Sequence, residues 1–195
     1  MAAQIELFGQ QPTTHAETHR VFFALMPDEP ARHAIGQAAA RVQQQHPTLH
    51  ARWVKPERYH ATLNFLGDYP ALPEDVVEKA SSAAGRLHAS PFAWTLDYAA
   101  SFRGREPPCV LRGTFVPDPL LLLWRDLNTA LAHAGLHRHL ERQYTPHVTL
   151  AYGRRELPAT TPIEPITWQI DKIVLIHNVV GKEHYQLLGS WPLAI

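Results

Sequence analysis

Apolar and polar positions alternate with two periods along this chain, and the switches between them mark its elements. The run Val21-Phe22-Phe23-Ala24-Leu25 reads as a buried strand over residues 19–26, stopped by Pro27. Asp28 then offers an N-cap with Pro30 in the first turn, and the Ala/Gln/Arg-rich stretch 31–45 reads as helix. Trp53-Val54 predicts a short extended piece before Pro56, and a strand follows over 59–66, ending at Gly67-Asp68. Pro73-Glu74-Asp75 opens a helix running to about residue 88. Strands are predicted over 92–102 and 109–116, joined by the basic turn 103–108. Asp118-Pro119 caps a third helix. Its apolar stripe is Leu120, Leu123, Leu127, Leu131 and Ala134, with Gly135 at the C-terminal end. A strand over 144–152 comes next. Strands over 170–177 and 184–191 form a hairpin around residues 179–183, with Gly181 in the turn. The order reads as an α+β protein built mostly of antiparallel sheet.

One tetrapeptide pattern occurs in two of these strands. His60-Ala61-Thr62-Leu63 returns as His147-Val148-Thr149-Leu150, about half the ordered chain later. In a strand, side chains at i and i+2 share a face. His60 is thus expected beside Thr62 and His147 beside Thr149, with Leu63 and Leu150 turned to the core. The repeat predicts two pseudo-symmetric lobes with outer helices, meeting at a central cleft. The domain reading is a flexible tail over 1–18 and a single bilobal domain over 19–195.

Composition narrows the partners. Lys+Arg and Asp+Glu are both 18, a formal net charge of +0, which argues against non-specific coating of nucleic acid but not against recognition of one RNA end. The single cysteine, Cys109, allows no disulfide framework and no Cys-based zinc site, and fits a reducing cytoplasm. Residues 1–19 lack a signal-peptide pattern, and no apolar run reaches membrane-spanning length. A monomer is the default for a cleft enzyme of this size.

The chemistry of the repeat is acid–base. An imidazole near its ordinary pKa of about 6.5 can take or give a proton at neutral pH. Two of them on either side of a phosphodiester can divide the work. One activates water and the other protonates the leaving oxygen, with no metal required. The threonine hydroxyls can donate to non-bridging phosphate oxygens. A lone H-x-T-L is weak, since Thr and Leu favour strands anyway and the chain holds 13 histidines. Two copies on strands, each with an aromatic close behind (Phe65, Tyr152), carry far more weight.

The pair resembles the two-histidine phosphoesterases, specifically the LigT-like RNA 2′,3′-cyclic phosphodiesterases, also called 2′-5′ RNA ligases. The resemblance spans about residues 19–195. It includes Arg20-Val21-Phe22-Phe23-Ala24-Leu25, Arg52-Trp53-Val54, the segment from Tyr59 through Gly67, Pro146 through Ala151, and the ending Tyr185 through Leu193. It implies a bilobal α+β fold with both motifs lining the cleft. It also implies opening of a 2′,3′-cyclic phosphate on an RNA or nucleotide end to a 2′-phosphate. By that analogy His60 is the general acid and His147 the general base. Many relatives carry an arginine five positions after the second histidine. Here that position is Tyr152, with Arg154 and Arg155 beyond it. Strand alternation turns position 152 away from the cleft unless the strand bends near Gly153.

Tyr152, Arg154, Phe65 and Arg103 are the candidate substrate contacts. A solvated turn is the better reading of Arg103 and Arg105. Tyr59, Phe65, Phe102 and Trp53 could stack a base, though strand aromatics are more often core. His137, His139, His177, His184 and Lys182 read as surface, and Cys109 as a strand residue. The alternatives to turnover of a cyclic phosphate are a module that binds phosphate-ended RNA without turnover, and a phosphodiesterase of this fold acting on 2′-5′ oligoadenylate or ADP-ribose cyclic phosphate. A His-coordinated metal hydrolase is weakened by the lack of carboxylates beside the motif histidines, Asp68 being the nearest.

Overall fold

The structure, a computed structural model, describes residues 17–194. In chain order the elements are β1 (His19–Leu25), α1 (Glu29–Gln45), β2 (Arg52–Trp53), β3 (Ala61–Tyr69), α2 (Glu74–Ala84), β4 (Phe92–Ser101), β5 (Pro108–Arg112), α3 (Asp118–His133), β6 (Val148–Tyr152), β7 (Thr161–Ile170), β8 (Lys172–Val179) and β9 (Gln186–Pro192). They build two antiparallel sheets, ordered β3-β1-β8-β9 and β2-β6-β5-β4-β7. The fold is bilobal α+β. Residues 1–16 of the segment read as a tail lie outside the described residues. Glu17 and Thr18 are described, and the Thr18 carbonyl accepts the Val180 amide at 2.8 Å.

The continuous apolar run of β1 has a physical reason. Val21, Phe23 and Leu25 enter the main core, while Phe22 and Ala24 pack on the opposite face with Val174 and Ile176. Both faces of the strand are covered, so alternation disappears. α1 starts where Asp28 Oδ1 accepts the Ala31 amide at 2.9 Å, and it buries Ala31, Ile35, Ala38, Ala39 and Val42. α3 buries the expected stripe Leu120, Leu123, Leu127 and Leu131.

Neither lobe is a contiguous half of the chain. β8 and β9 return to the first sheet, and β2 crosses to the second, where it pairs with β6. Helices cross as well, since α1 packs against β7 of the second sheet.

Several boundaries differ from the sequence expectation. β3 runs through Gly67-Asp68 to Tyr69, because Gly67 takes φ +128°, a conformation that glycine tolerates inside an irregular strand. α2 stops at Ala84 and β5 at Arg112. Pro117, not Asp118, is the residue before the first turn of α3, and no side chain caps that helix. β7 was not expected. Pro162 and Pro165 hide it, and they are tolerated because β7 is the edge of its sheet.

β5 ends against Gly113, where a Cβ would lie 2.2 Å from the Thr95 carbonyl oxygen and 2.9 Å from that of Phe115. Gly113→Ala is therefore expected to lower unfolding stability by about 1–3 kcal/mol. Urea denaturation checks this, and an unchanged midpoint would mean that the approach is not tight.

Candidate active site

Each motif histidine stands one residue before its strand rather than inside it, at the point where an irregular segment enters the sheet. That corrects the expectation that both lie within strands. His60 follows a 3-10 turn, Pro56–Arg58, and its Nδ1 lies 2.8 Å from the Arg58 carbonyl oxygen. His147 Nδ1 lies 2.8 Å from the Thr145 carbonyl oxygen. Both contacts reach the residue two positions upstream. A carbonyl can only accept, so each Nδ1 carries the hydrogen and each neutral ring leaves Nε2 bare.

The threonines follow on the strands, and a bulge after each one decides what comes next. In β3 the register passes from Thr62 opposite Ala24 to Asn64 opposite Phe23, skipping Leu63, and then to Phe65 opposite Phe22. Phe22 and Ala24 share the face that carries His60, so Phe65 joins Thr62 there despite its odd spacing. In β6 the register passes from Thr149 opposite Val110 to Ala151 opposite Cys109, skipping Leu150. Tyr152 is thereby brought to the side of Thr149, and both line one cleft. The bend lies at Leu150 rather than at Gly153. Phe65 is 36% exposed and Tyr152 39%, and each carries a guanidinium over its ring. These are Arg20 at 5.5 Å over Phe65 and Arg52 at 5.2 Å over Tyr152.

The cleft holds about 390 Å³ and is lined by His60, Thr149, Tyr152, Tyr185 and the cations Arg52, Lys55, Arg58 and Lys182. Glu183 is the acidic group in that lining, and it pairs with Lys55. A chain of zero net charge thus concentrates positive charge at one concavity. Arg58 shapes the wall. It donates to the Lys182 and Glu183 carbonyl oxygens at 2.9 and 3.0 Å, and its guanidinium lies 4.2 Å from the Tyr185 ring centroid. The β8–β9 turn is thereby tied over the segment that delivers His60. The His60 ring packs between Phe22 at 5.1 Å and the edge of Tyr185 at 5.5 Å. His147 meets Phe102 edge-on at 4.9 Å.

This aromatic packing sets the protonation. Burial pushes the His60 pKa down to about 4. The Arg58 carbonyl opposes that shift, and the His147 and Arg58 charges add to it. Burial also lowers His147, with Arg112 adding to the shift and Glu141 opposing it. Burial raises the Tyr185 hydroxyl, which stays a donor at neutral pH. Cys109 is buried and its thiol is pushed up to about 11, so it supplies no nucleophile.

The other sequence candidates scatter. Arg103 is exposed on the β4–β5 turn, and Arg154 is exposed beyond β6 with its amide on the Leu49 carbonyl. Neither lines the cleft. Tyr59 is core. His177 is buried against His19 at 2.9 Å rather than at the surface. Among the described residues, no group of three or more His, Cys, Asp or Glu side chains is arranged to hold a metal ion, and no helix is long and apolar enough to cross a membrane. Sequence reasoning missed Arg58, Arg112 and Tyr185. The resemblance had touched Tyr185 only as part of a strand, and nothing local marks Arg112.

Each sheet thus delivers a histidine with a bare Nε2 just ahead of a strand threonine; His60 and Thr149 line the cleft, whereas His147 and Thr62 are not among its lining residues. The family described as LigT-like phosphoesterase matches residues 25–111, which include the first motif. The RNA 2′,3′-cyclic phosphodiesterase of Geobacillus stearothermophilus is 29% identical over 154 residues, covering 72% of this chain and 47% of that protein. That of Thermotoga maritima is 30% identical over 102 residues, covering 51% of this chain and 52% of that protein. The chain thus spans about half the length of these curated relatives. The crystal structure of E. coli LigT in its apo form aligns over 92% of this chain and 99% of its own, with a TM-score of 0.72 and 26% identity. Together these matches support the two-histidine phosphoesterase superfamily as what this chain is similar to.

In the ligand-free protein, an NMR titration is expected to find His60 near 4 and His147 below 6.5. The folded state then resists protons that the unfolded chain accepts. Stability is full above about pH 6.5 and falls as the pH drops toward 4. Either ring titrating at or above 6.5 would contradict the burial assigned to it.

Proposed function

We propose that this protein opens the 2′,3′-cyclic phosphate at an RNA or nucleotide end to a 2′-phosphate, using His60 as general acid and His147 as general base. The observation that carries this reading is the pair of imidazoles, each held by its Nδ1–H so that Nε2 is free, and near enough that the His147 charge acts on His60. Water attacks phosphorus from the side opposite the 3′-oxygen. His147 Nε2 takes the water proton, and the new P–O bond forms as the P–O3′ bond breaks. His60 Nε2–H gives its proton to the departing 3′-oxygen, which becomes a hydroxyl. The Thr62 and Thr149 hydroxyls donate to the non-bridging oxygens where charge grows. Arg52, Lys55 and Lys182 draw the anion into the cleft.

The roles need one imidazole charged and one neutral. Burial keeps both neutral in the free protein at pH 7. The arriving phosphate anion favours the charged form of the ring beside it, and so loads the acid as substrate binds. The related E. coli LigT has been solved in complex with 3′-AMP, which supports a nucleotide in the equivalent cleft.

His60→Ala and His147→Ala should each retain the fold and lose turnover by about 10²–10⁴-fold, the usual contribution of one positioned proton transfer. The assay is opening of a short RNA with a cyclic-phosphate end in EDTA, with the phosphate position determined. The two imidazoles cover both transfers, so the rate should survive EDTA. Full activity in either variant removes the mechanism. Tight binding with no product makes the protein a binding module.

The pH profile is a second check. Both rings lie below 6.5 in the free protein, so kcat/KM should peak on the acid side of 6.5 and fall as the pH rises through the higher of the two values. The kcat profile should be displaced upward, because bound phosphate raises the pKa of the acid. A kcat/KM optimum above pH 8 would contradict the assignment of both groups.

A further inference from the structure

We infer that Arg112, which stands outside the cleft lining on the His147 side, is a phosphate contact of the two-histidine site, donating from its guanidinium to a non-bridging oxygen. The inference rests on the phosphodiesterase reading for the identity of its ligand, but its geometry stands separately. Leu111 pairs with Val148, and Val110 with Thr149. The ladder ends at that Leu111–Val148 pair, so Arg112 and His147 are the next residues of the two facing chains, just beyond it. Val110 and Arg112 are two apart on β5 and share a face, so Arg112 is set on the Thr149 face.

Its surroundings hold the guanidinium but leave its hydrogens unused. The guanidinium carbon lies 5.7 Å from the Tyr98 ring centroid and 5.9 Å from that of Phe102. Phe102 is the ring that also meets His147 edge-on. Nε is buried without a hydrogen-bond partner, and among the described residues no carboxylate forms an ion pair with Arg112. A buried donor left unmade is costly, and a native fold that keeps one calls for an account of what satisfies it. The cations of the first lobe are already engaged. Arg20 is bidentate to Asp68 at 2.8 Å, Lys55 is paired with Glu183, and Arg58 is committed to two carbonyls. Arg112 is fixed by flanking rings, uncompensated and next to the base, and its planar fork matches two oxygens of a phosphate. Its closeness to His147 is felt as an added downward push on that ring.

The test uses the full chain, with inorganic phosphate as binding probe and cyclic-phosphate RNA as substrate. Wild type, R112K and R112Q are compared by calorimetry, by steady-state kinetics and by NMR titration of His147, whose facing charges are Arg112, Glu141 and His60. R112Q should weaken phosphate binding at least about 10-fold and lower kcat/KM about 100-fold, the cost of removing one preorganised donor. It should also raise the His147 pKa in the ligand-free protein, which a purely structural residue would not do. R112K keeps the charge without the fork and should fall between. Unchanged phosphate affinity and turnover in folded R112Q overturns the inference and leaves the phosphodiesterase reading intact. Arg112-dependent phosphate binding in a wild-type protein that opens no cyclic phosphate does the reverse. Should R112Q fail to fold, R112K decides. A loss of phosphate affinity in it supports the contact, and unchanged affinity overturns it.

Discussion

Each motif histidine gives its Nδ1 hydrogen to the carbonyl two residues upstream, Arg58 for His60 and Thr145 for His147. Such a ring cannot turn freely and cannot choose its tautomer, so which nitrogen stays free is fixed by backbone rather than by another side chain. The bond is possible because each histidine sits just before its strand, where the preceding carbonyl is not engaged in the sheet ladder. Within a regular strand the carbonyl at i−2 would be pairing with a neighbour. The one-residue offset from the strand start is thus what makes the site two matched half-sites.

Around these bonds the lobes use the same device with different chemistry. A bulge after each threonine turns an aromatic residue onto the threonine's face, Phe65 in one lobe and Tyr152 in the other, and an arginine covers each ring. The flanking groups differ. His60 is enclosed by Phe22 and Tyr185, whereas His147 has Phe102 and Arg112, whose Nε finds no hydrogen-bond partner among the described residues. Equivalent backbone thus carries the two histidines into unequal surroundings, and burial lowers the pKa of each.

How much of this was legible depended on whether the cause was local. Asp28 with its helix, the α3 leucine stripe and the β8–β9 hairpin were readable, because capping, helical period and turn chemistry act within a few residues. β7 was not, because its prolines argue against a strand unless it is known to be an edge. The paired H-x-T-L motif announced both histidines. It misjudged their place by one residue, since alternation cannot report where a ladder begins. Tyr152 looked misdirected because bulges depend on the partner strand's register.

The sequence by itself determined the chemistry: which residues repeat, that they are two imidazoles with two hydroxyls, and that the chain folds as α+β around them. Periodicity and composition are carried by each segment alone. Only the tertiary structure decided that β8 and β9 close the first sheet, that Arg58 ties their turn over His60, and that Arg112 and His147 share the Phe102 ring. Those arrangements arise from pairing between residues far apart in the chain, and no single strand encodes which partner lies beside it. The same holds for the depressed histidine pKa values, which come first from burial that the histidine's own strand does not supply alone.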